Sequence, residues 1–279
     1  MPVSLHSTGK ASFDDIYDRT DPRDYYLRMS ELDYRIPELA KPHFESFIAD
    51  YRAASGAAPT VLDIGCSYGV NAALMRFDTS VAQLAEHYRG GDTAARIERD
   101  RARLAARDRH PQVRFVGMDA SEPALAYATA AGLLHDAVHA DLESGPPTAA
   151  QRAVLASTDV VISTGCIGYV TDRTLLQVVH AHGERLPWMA HFVLRMYDYE
   201  PIARRLSRLG YHTRKMPGTF HQRRFASEAE RIQVLNTLSA RGIDPSGVEE
   251  DGWMHAELYY STPEPYEPDS PAPGRSGSV

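Results

Sequence analysis

Three acidic residues lie at or near the ends of short apolar segments, where their side chains can accept hydrogen bonds from one ligand. Asp63 lies in the segment TVLDIG, Asp119 ends VRFVGMD, and Asp141 lies near the end of HDAVHADL. In open α/β sheets, ligands bind at the carboxyl ends of the strands. A carboxylate there can accept hydrogen bonds from neighbouring hydroxyls or from an amino group. The spacing therefore predicts one ligand site at the ends of three consecutive strands.

The segment from Gly65 to Gly69 directly follows the first of these strands and precedes the helix-forming residues GVNAALMRF. Glycines let the backbone turn tightly near a ligand, and the amides that begin the helix stabilise negative charge. A dinucleotide loop has the spacing Gly-x-Gly-x-x-Gly, whereas Val70 occupies the position of the last glycine here. A P-loop has Lys followed by Ser or Thr, and no lysine lies near this loop. The spacing therefore disfavours both NAD(P) and a nucleoside triphosphate.

The loop from Asp63 to Gly69 resembles motif I of class I S-adenosylmethionine-dependent methyltransferases, (D/E)-x-G-x-G-x-G, with Ser67 at the middle glycine. The resemblance continues through VGMDASEPALAYA, VHADLES and DVVISTGCIGYV. It implies that Asp119 binds the two ribose hydroxyls and that Asp141 and the amide of Leu142 bind adenine. The cofactor contacts that it implies are Asp63, Gly65, Cys66, Ser67, Gly69, Asp119, Ala120, Asp141, Leu142, and, near the sulfonium, Ser163 and Thr164.

The methyl acceptor is expected to bind beside the segments that follow the later strands. Contacts with it are predicted for Cys166 and Tyr169 after the fourth strand, Arg195 and Tyr197 after the fifth, and Arg223 and Arg224 in the segment GTFHQRRF. The two adjacent arginines would orient an anionic acceptor through guanidinium–carboxylate pairs. The alternative for the two arginines is that they are solvated in a polar loop. The alternative for Cys66 and Cys166 is that they are packing residues without a role in the site.

Two further roles are predicted from residue type and position. If the acceptor is a hydroxyl, His221 or Asp198 is expected to remove its proton as a general base. Members of the family often cover the cofactor with an N-terminal helix, and Tyr17 or Tyr25 would then contact the sulfonium through cation–π attraction.

Apolar and helix-forming segments alternate along most of the chain, which is typical of a parallel sheet with right-handed crossovers. We predict an α/β fold with a seven-stranded, mostly parallel, doubly wound sheet, whose last strand, WMHAELYYST, is antiparallel as in the family. An N-terminal helical lid over 1–52, divided into short helices by Pro37 and Pro42, precedes a methyltransferase domain over 53–262. Insertions are expected over about 78–110 and 217–247, and the Pro-, Gly- and Ser-rich segment 263–279 is predicted to be disordered.

The composition narrows the possible partners. A net charge of −7 disfavours a nucleic acid, and no apolar run approaches the roughly 18 residues of a membrane span. The two cysteines, Cys66 and Cys166, are too few for a disulfide framework and lack the neighbours of a structural zinc site, so we expect a cytoplasmic location and no metal. The insertion over 78–110 has two interpretations. In the first it is a decoration of the fold or a homodimer contact, and in the second it is a cap over the substrate pocket.

The sequence therefore predicts methyl transfer from S-adenosylmethionine to an oxygen or nitrogen of a small molecule, with natural-product tailoring as the expected context. Two alternatives stay open. One is a non-catalytic cofactor-binding protein on the same fold, and the other, disfavoured by the loop spacing, is an NAD(P)-dependent oxidoreductase.

Overall fold

The computed structural model describes residue 16 and residues 18–268 of the chain. The strands of this part are β1 (Thr60–Ile64), β2 (Arg114–Asp119), β3 (Asp136–His139), β4 (Val160–Thr164), β5 (Trp188–Leu194), β6 (His212–Lys215), β7 (Phe220–Arg224) and β8 (Trp253–Thr262). Apolar residues make up half or more of β1, β2, β4 and β5, which is typical of strands that are covered on both faces.

Ten α-helices connect or precede these strands within the described residues. They are α1 (Arg23–Glu31), α2 (Ile36–Ser55), α3 (Val70–Phe77), α4 (Val81–His87), α5 (Thr93–Arg107), α6 (Glu122–Ala130), α7 (Ala149–Ala156), α8 (Asp172–Ala181), α9 (Glu200–Ser207) and α10 (Glu228–Ala240). A short 3-10 helix, Glu249–Asp251, precedes β8. Among the helices in the described ranges, none combines the length and the hydropathy that crossing a membrane requires.

The strands form one mixed sheet in the order β3-β2-β1-β4-β5-β8-β6. β1 to β5 pair in parallel, and β8 is antiparallel to both β5 and β6. The predicted α/β fold with an antiparallel last strand is thereby confirmed. Because β1 has β2 on one side and β4 on the other, the strand order reverses at β1 and β4, which is where open α/β sheets bind their ligands.

Helices cover both faces of the sheet, as the prediction of a doubly wound sheet requires. Val160 and Ile162 of β4 belong to the core formed with α1, α2, α3 and α6, whereas Val161 belongs to the core formed with α7, α8 and α9. Successive side chains of a strand point to opposite faces, so the run of apolar residues in β4 fills both cores.

The structure has one strand more than the seven expected, counted over the described residues. This strand, β7, lies in the segment predicted to be an insertion over 217–247 and pairs with the first half of β8. Apart from Phe220, its residues FHQRR are polar and carry no apolar alternation. Pairing with β8 places them in a strand, which propensity alone did not indicate.

The prediction that Pro37 and Pro42 divide the N-terminal region into short helices is wrong for α2, which is one helix from Ile36 to Ser55. Pro37 lies in the first turn, where a backbone N–H has no helical partner in any case. Pro42 removes one hydrogen bond inside the helix. Burial of Phe44 and Phe47 against the sheet compensates for that loss.

Residues 263–268 belong to the folded structure, although the segment 263–279 was predicted to be disordered from its composition. The ring of Tyr266 packs 5.2 Å from Phe47 and 5.1 Å from Tyr260, between ring centroids, and its hydroxyl donates to Asp50. One aromatic side chain therefore anchors this segment to α2 and β8. The rest of the predicted disordered segment lies outside the described residues.

Residues 78–110 form the helical pair that was predicted, α4 and α5, and a buried polar cluster joins it to the domain. The carboxylate of Asp100 on α5 accepts hydrogen bonds from Tyr88 at 3.0 Å and from Tyr127 of α6 at 2.9 Å. Tyr88 also stacks on Tyr26 of α1, with ring centroids 5.0 Å apart. The insertion therefore packs between the N-terminal helix and α6.

Candidate functional site

The backbone between β1 and α3 turns three times through the left-handed region. Gly65, Ser67 and Gly69 have φ angles of 68°, 49° and 72°. The amide of Gly65 donates to Met118 O at 2.8 Å, which ties the loop to β2, and a Cβ atom at Gly65 would lie 2.8 Å from Cys166 Cβ. Gly65 is therefore required both for its φ angle and for its close contact with the loop after β4.

Asp63 is buried beneath this loop. Both of its carboxylate oxygens accept from Asn71 Nδ2, at 3.0 and 3.1 Å, and the same nitrogen lies 3.2 Å from Thr164 Oγ1 at the end of β4. Burial raises the pKa of Asp63 to about 8, and the neighbouring charge of Asp119 acts in the same direction. The two carboxylates are thus close enough to interact electrostatically.

Asp119 holds the end of β2 against the glycine loop. One carboxylate oxygen accepts from the amide of Ser67 at 2.8 Å and the other from the amide of Ser121 at 2.9 Å. Burial is the main cause that raises the pKa of Asp119, opposed by these backbone hydrogen bonds. A carboxylate can accept about four hydrogen bonds, so each oxygen of Asp119 keeps capacity for a ligand hydroxyl.

Three buried polar atoms near the loops after β1 and β4 have no hydrogen-bond partner among the described residues. They are Ser67 Oγ, Asn71 Oδ1 and Gln222 Oε1. Buried polar atoms in folded proteins are nearly always paired with protein or with ordered water. These three atoms can therefore hydrogen-bond to water or to a polar ligand near the ends of β1 and β4.

The other predicted cofactor contacts fall into two groups. Ala120 is exposed beside Asp119, and Asp141, also exposed, accepts from the amide of Glu143 at 3.0 Å and from the hydroxyl of Ser144. Leu142 is buried after β3. Ser163 differs from these residues because its Oγ lies 2.8 Å from His191 Nδ1 inside the sheet, where burial lowers the pKa of His191 to about 3. Ser163 is thus occupied within the protein core.

The N-terminal segment crosses over the glycine loop. The hydroxyl of Tyr68 donates to the backbone oxygen of Arg19 at 2.9 Å, and the hydroxyl of Ser121 donates to Asp18 at 3.2 Å. Tyr25 packs against Tyr68, with ring centroids 5.6 Å apart. Tyr25 therefore contacts the loop through Tyr68, and Tyr17 lies outside the described residues.

The loop after β4 carries the predicted acceptor residues Cys166 and Tyr169. Cys166 is buried and its thiol donates to Ile64 O at 3.3 Å, whereas Tyr169 is 40% exposed and its hydroxyl donates to Gly165 O. A Cβ atom at Gly168 would collide with the ring of Tyr197, which follows β5. Tyr197 therefore packs against the loop that carries Tyr169. Cys66 is also buried, and burial raises the pKa of its thiol.

Gln222 is a candidate site residue that the sequence reasoning missed. It lies at an irregularity in β7, between His221 and Arg223, and its side chain fills the position that a Cβ atom at Gly165 would occupy. Its backbone oxygen accepts from the amide of Arg35 at 2.7 Å. Its position next to His221 and the arginines was visible in the sequence, but the bulge that directs it to the loop after β4 was not.

The two adjacent arginines have different partners. Arg223 is 1% exposed and its guanidinium donates to both oxygens of buried Glu230, at 2.8 and 2.7 Å. Arg224 is exposed, donates to Asp33 at 2.8 Å and lies 4.6 Å over the ring of Trp253. Arg223 cannot meet an anionic acceptor without giving up Glu230, whereas exposed Arg224 pairs with Asp33 through Nε alone.

Arg195 and Asp198, both after β5, also have partners within the protein. Arg195 pairs with buried Glu249 and donates to Asp244 O at 3.1 Å. Asp198 accepts from the amide of Glu200 at the start of α9, at 3.0 Å, and pairs with Arg241. These contacts explain both residues without a ligand.

His221 lies on the face of β7 opposite to Phe220. Its Nε2 is 3.5 Å from Asp251 Oδ2, and its ring packs 4.6 Å from Trp253. Phe220 instead packs on Phe192 in the sheet core. The imidazole of His221 therefore faces Asp251 and Trp253.

A separate cavity of about 630 Å³ lies among α3, α4 and α5, lined by residues that include Phe77, Gln83, Arg103 and Arg107. The helix α3 begins at the carboxyl end of β1 and ends at Phe77, so this cavity lies toward the opposite edge of the sheet. It includes none of the acidic or glycine residues described above. The polar groups that can bind a ligand converge instead at the ends of β1, β2 and β4.

Comparisons with known proteins identify no family model and no curated protein that matches the chain. Among solved structures, the plantazolicin methyltransferase BpumL in complex with SAH has a TM-score of 0.42 at 11% identity, covering 90% of this chain and 97% of that chain. Precorrin-6y C5,15-methyltransferase from Geobacter metallireducens GS-15 has a TM-score of 0.35 at 12% identity, covering 74% and 80%. The bifunctional kinase-methyltransferase WbdD has a TM-score of 0.40 at 9% identity, covering 80% and 39%. All three TM-scores are below 0.5, so the functional argument depends on the residues of this chain.

Proposed function

We propose that the chain is a class I S-adenosylmethionine-dependent methyltransferase that acts on an oxygen or nitrogen of a small molecule. The observation that carries the proposal is the convergence of the glycine loop, Asp63 and Asp119 at the ends of β1 and β2. The buried and unpartnered Ser67 Oγ and Asn71 Oδ1 at the same place support a polar ligand. This set matches the resemblance of residues 63–69 to motif I of the family.

The residues fit the chemical groups of this cofactor. Asp119 would accept from both ribose hydroxyls, Asp141 from the adenine amino group, and the Leu142 amide would donate to the ring. Asp63, Asn71 and Thr164 would contact the cationic end, where a positive charge favours the ionised form of Asp63. When bound, S-adenosylmethionine supplies an electrophilic methyl group, and the task of the protein is to align the acceptor and exclude water.

The acceptor would lie beside the loop after β4, where Tyr169, Tyr197 and Gln222 meet Gly165 and Gly168. The amide oxygen of Gln222 can accept a hydrogen bond from an acceptor hydroxyl or amine. The segments that form this region are the least regular of the domain, which suits a specific small molecule such as a natural product.

Binding of the reaction product S-adenosylhomocysteine tests the proposal directly. In isothermal titration, we expect binding of S-adenosylhomocysteine and at least tenfold weaker binding of NAD⁺. Asp119→Asn should weaken S-adenosylhomocysteine binding tenfold or more, because hydrogen bonds to a charged group contribute about 1.5–3 kcal/mol. Asp136→Asn, at the opposite end of neighbouring β3, is the matched control and should bind as the wild type does.

Two outcomes would contradict the proposal. Equal affinity of the wild type and folded Asp119→Asn would remove Asp119 from the cofactor site, and tighter binding of NAD⁺ would favour an oxidoreductase. Tight binding of S-adenosylhomocysteine without methyl transfer to any member of a broad panel of hydroxyl, amine and carboxylate acceptors would favour a non-catalytic cofactor-binding protein.

A further inference from the structure

We propose that His221, Asp251 and His255 form a binding site for a divalent transition-metal ion, for which Zn²⁺ is the probe. The three side chains come from β7, from the 3-10 helix and from β8, and one ligand atom from each lies within 4.8 Å of the other two. The sequence predicted no metal because Cys66 and Cys166 lack metal-binding neighbours, and His221 is separated from Asp251 and His255 by α10 and its flanking loops.

The distances are close to those of a zinc site. His221 Nε2 is 3.5 Å from Asp251 Oδ2, and His255 Nε2 is 3.7 Å from Asp251 Oδ1. With metal–ligand bonds of about 2.0–2.1 Å, the ligand atoms of a tetrahedral site lie about 3.3–3.4 Å apart. The two contacts involve different carboxylate oxygens of Asp251, and one ligand atom from each residue lies within 4.8 Å of the others. Movement of the side chains toward one another would therefore bring the three atoms to coordination distance.

His255 provides an independent indication of a ligand. Its side chain is 8% exposed, and its Nε2 is buried with no hydrogen-bond partner among the described residues. Its other nitrogen, Nδ1, lies 3.1 Å from Thr219 Oγ1. If Nδ1–H donates to Thr219, Nε2 presents a lone pair toward Asp251, which is the arrangement of a metal-binding histidine whose second nitrogen is held by a hydrogen bond.

The backbone positions the three residues before any ion binds. His221 and His255 are register partners in the antiparallel pairing of β7 with β8. Asp251 Oδ1 accepts from the amide of Trp253 at 3.1 Å, and Gly252, with φ of 93°, makes the turn between them. Two ligands on paired strands and one held by a turn define a rigid site.

The exposure of the ligands indicates an open site. The side chains of His221 and Asp251 are 38% and 43% exposed, so one side of the cluster faces solvent. Three protein ligands with an open position are typical of zinc sites that bind a water molecule or a ligand atom, whereas structural zinc sites are usually closed by four. The fourth ligand is therefore expected to be water or an oxygen or nitrogen of a small molecule.

Zinc titration of the full chain tests the proposal. After removal of metals by a chelator, isothermal titration with ZnCl₂ should show one ion bound per chain, with tenfold or greater loss of affinity in His221→Ala and in Asp251→Asn. Because both residues are partly exposed, these variants are expected to fold even if His255→Ala does not. The matched control is His212→Ala, an exposed histidine on β6 of the same sheet, which should bind zinc as the wild type does.

Either of two results would overturn the site. One is the absence of saturable binding near one ion per chain, and the other is equal zinc affinity in His221→Ala, Asp251→Asn and His212→Ala. The readout is metal binding, so it is independent of methyl transfer. Titration of the same variants with S-adenosylhomocysteine separates loss of the metal site from loss of the fold or of the proposed cofactor site.

Discussion

Asp63 is a carboxyl group whose surroundings favour the neutral form in the absence of a ligand. It is buried and it faces the charge of Asp119, and these two effects outweigh the hydrogen bonds from Asn71, which favour the ionised form. A cation bound beside it would reverse this preference, because an opposite charge stabilises the carboxylate. Binding of a cationic ligand beside Asp63 would then release its proton.

The folded and unfolded states should differ in the titration of Asp63. Its pKa is about 8 when folded and near the ordinary value of 3.8 when unfolded, so only the unfolded state loses this proton between these values. The contribution of Asp63 to the free energy of unfolding is therefore fully present below pH 3.8 and falls as the pH rises toward 8. The free energy of unfolding of Asp63→Asn, measured relative to that of the wild type, should therefore rise by up to about 1.4 kcal/mol per pH unit over that range.

Urea unfolding at pH 5, 6, 7 and 8 measures this difference, with Asp136→Asn as the surface control. Wild-type and Asp63→Asn curves that stay parallel across this range would show that the pKa of Asp63 is not raised. Other groups of raised pKa are present in both proteins, so the difference between the two curves reports Asp63 together with its electrostatic coupling to Asp119.

At the scale of elements, β7 shows how a polar segment acquires several roles. Phe220 packs into the sheet core, His221 faces Asp251, and Gln222 contacts the loop after β4. Arg223 then joins β7 to α10 through Glu230. The irregular register at Gln222 changes which face each of these side chains points to.

The ion pair between β7 and α10 should contribute to stability rather than to substrate binding. Arg223→Ala leaves the carboxylate of Glu230 buried without its partner, which typically costs about 3–5 kcal/mol. Arg224→Ala removes an exposed pair and should cost about 1 kcal/mol or less. Thermal and urea unfolding of the two variants give the comparison.

A double variant, Arg223→Met with Glu230→Met, should recover most of the lost stability, because both buried charges are removed together. If Arg223→Ala instead unfolds like the wild type and weakens binding of an anionic acceptor, the original interpretation of Arg223 as a substrate contact would be restored.

At the scale of the whole molecule, the N-terminal segment, the insertion and the glycine loop form one connected unit. Asp21 pairs with buried Arg96 of the insertion at 3.2 Å, and Tyr68 of the loop donates to Arg19 O. Tyr26 of α1 stacks on Tyr88, which directly follows α4. This arrangement favours the interpretation of the N-terminal segment as a cover for the ligand that the loop binds.

Ligand binding should therefore be detected far from the loop itself. At a concentration 100 times its dissociation constant, S-adenosylhomocysteine should stabilise the fold by about 2.7 kcal/mol, which corresponds to a rise in Tm of roughly 5–10 °C. Hydrogen exchange should slow in 18–31 as well as in 65–69. Protection confined to 65–69, with 18–31 unchanged, would contradict the role of the N-terminal segment as a cover.

The sequence by itself determined the features that depend on local order along the chain. The alternation of apolar and helical segments predicted the α/β sheet, and the spacing from Asp63 to Gly69 predicted a tight glycine turn between a strand and a helix. These predictions succeed because strand periodicity, helix formation and loop conformation depend on residues that are close in the chain. The acidic residues at strand ends could be located for the same reason.

Only the tertiary structure decided which distant side chains meet. It paired Arg223 with Glu230, placed Gln222 against Gly165, and brought His221 next to Asp251 and His255. Each contact depends on the register of β7 against β8 and on the packing of α10, which the short-range pattern of FHQRR does not specify. Strand register is set by long-range packing, and a shift of one residue would direct each of these side chains to the other face.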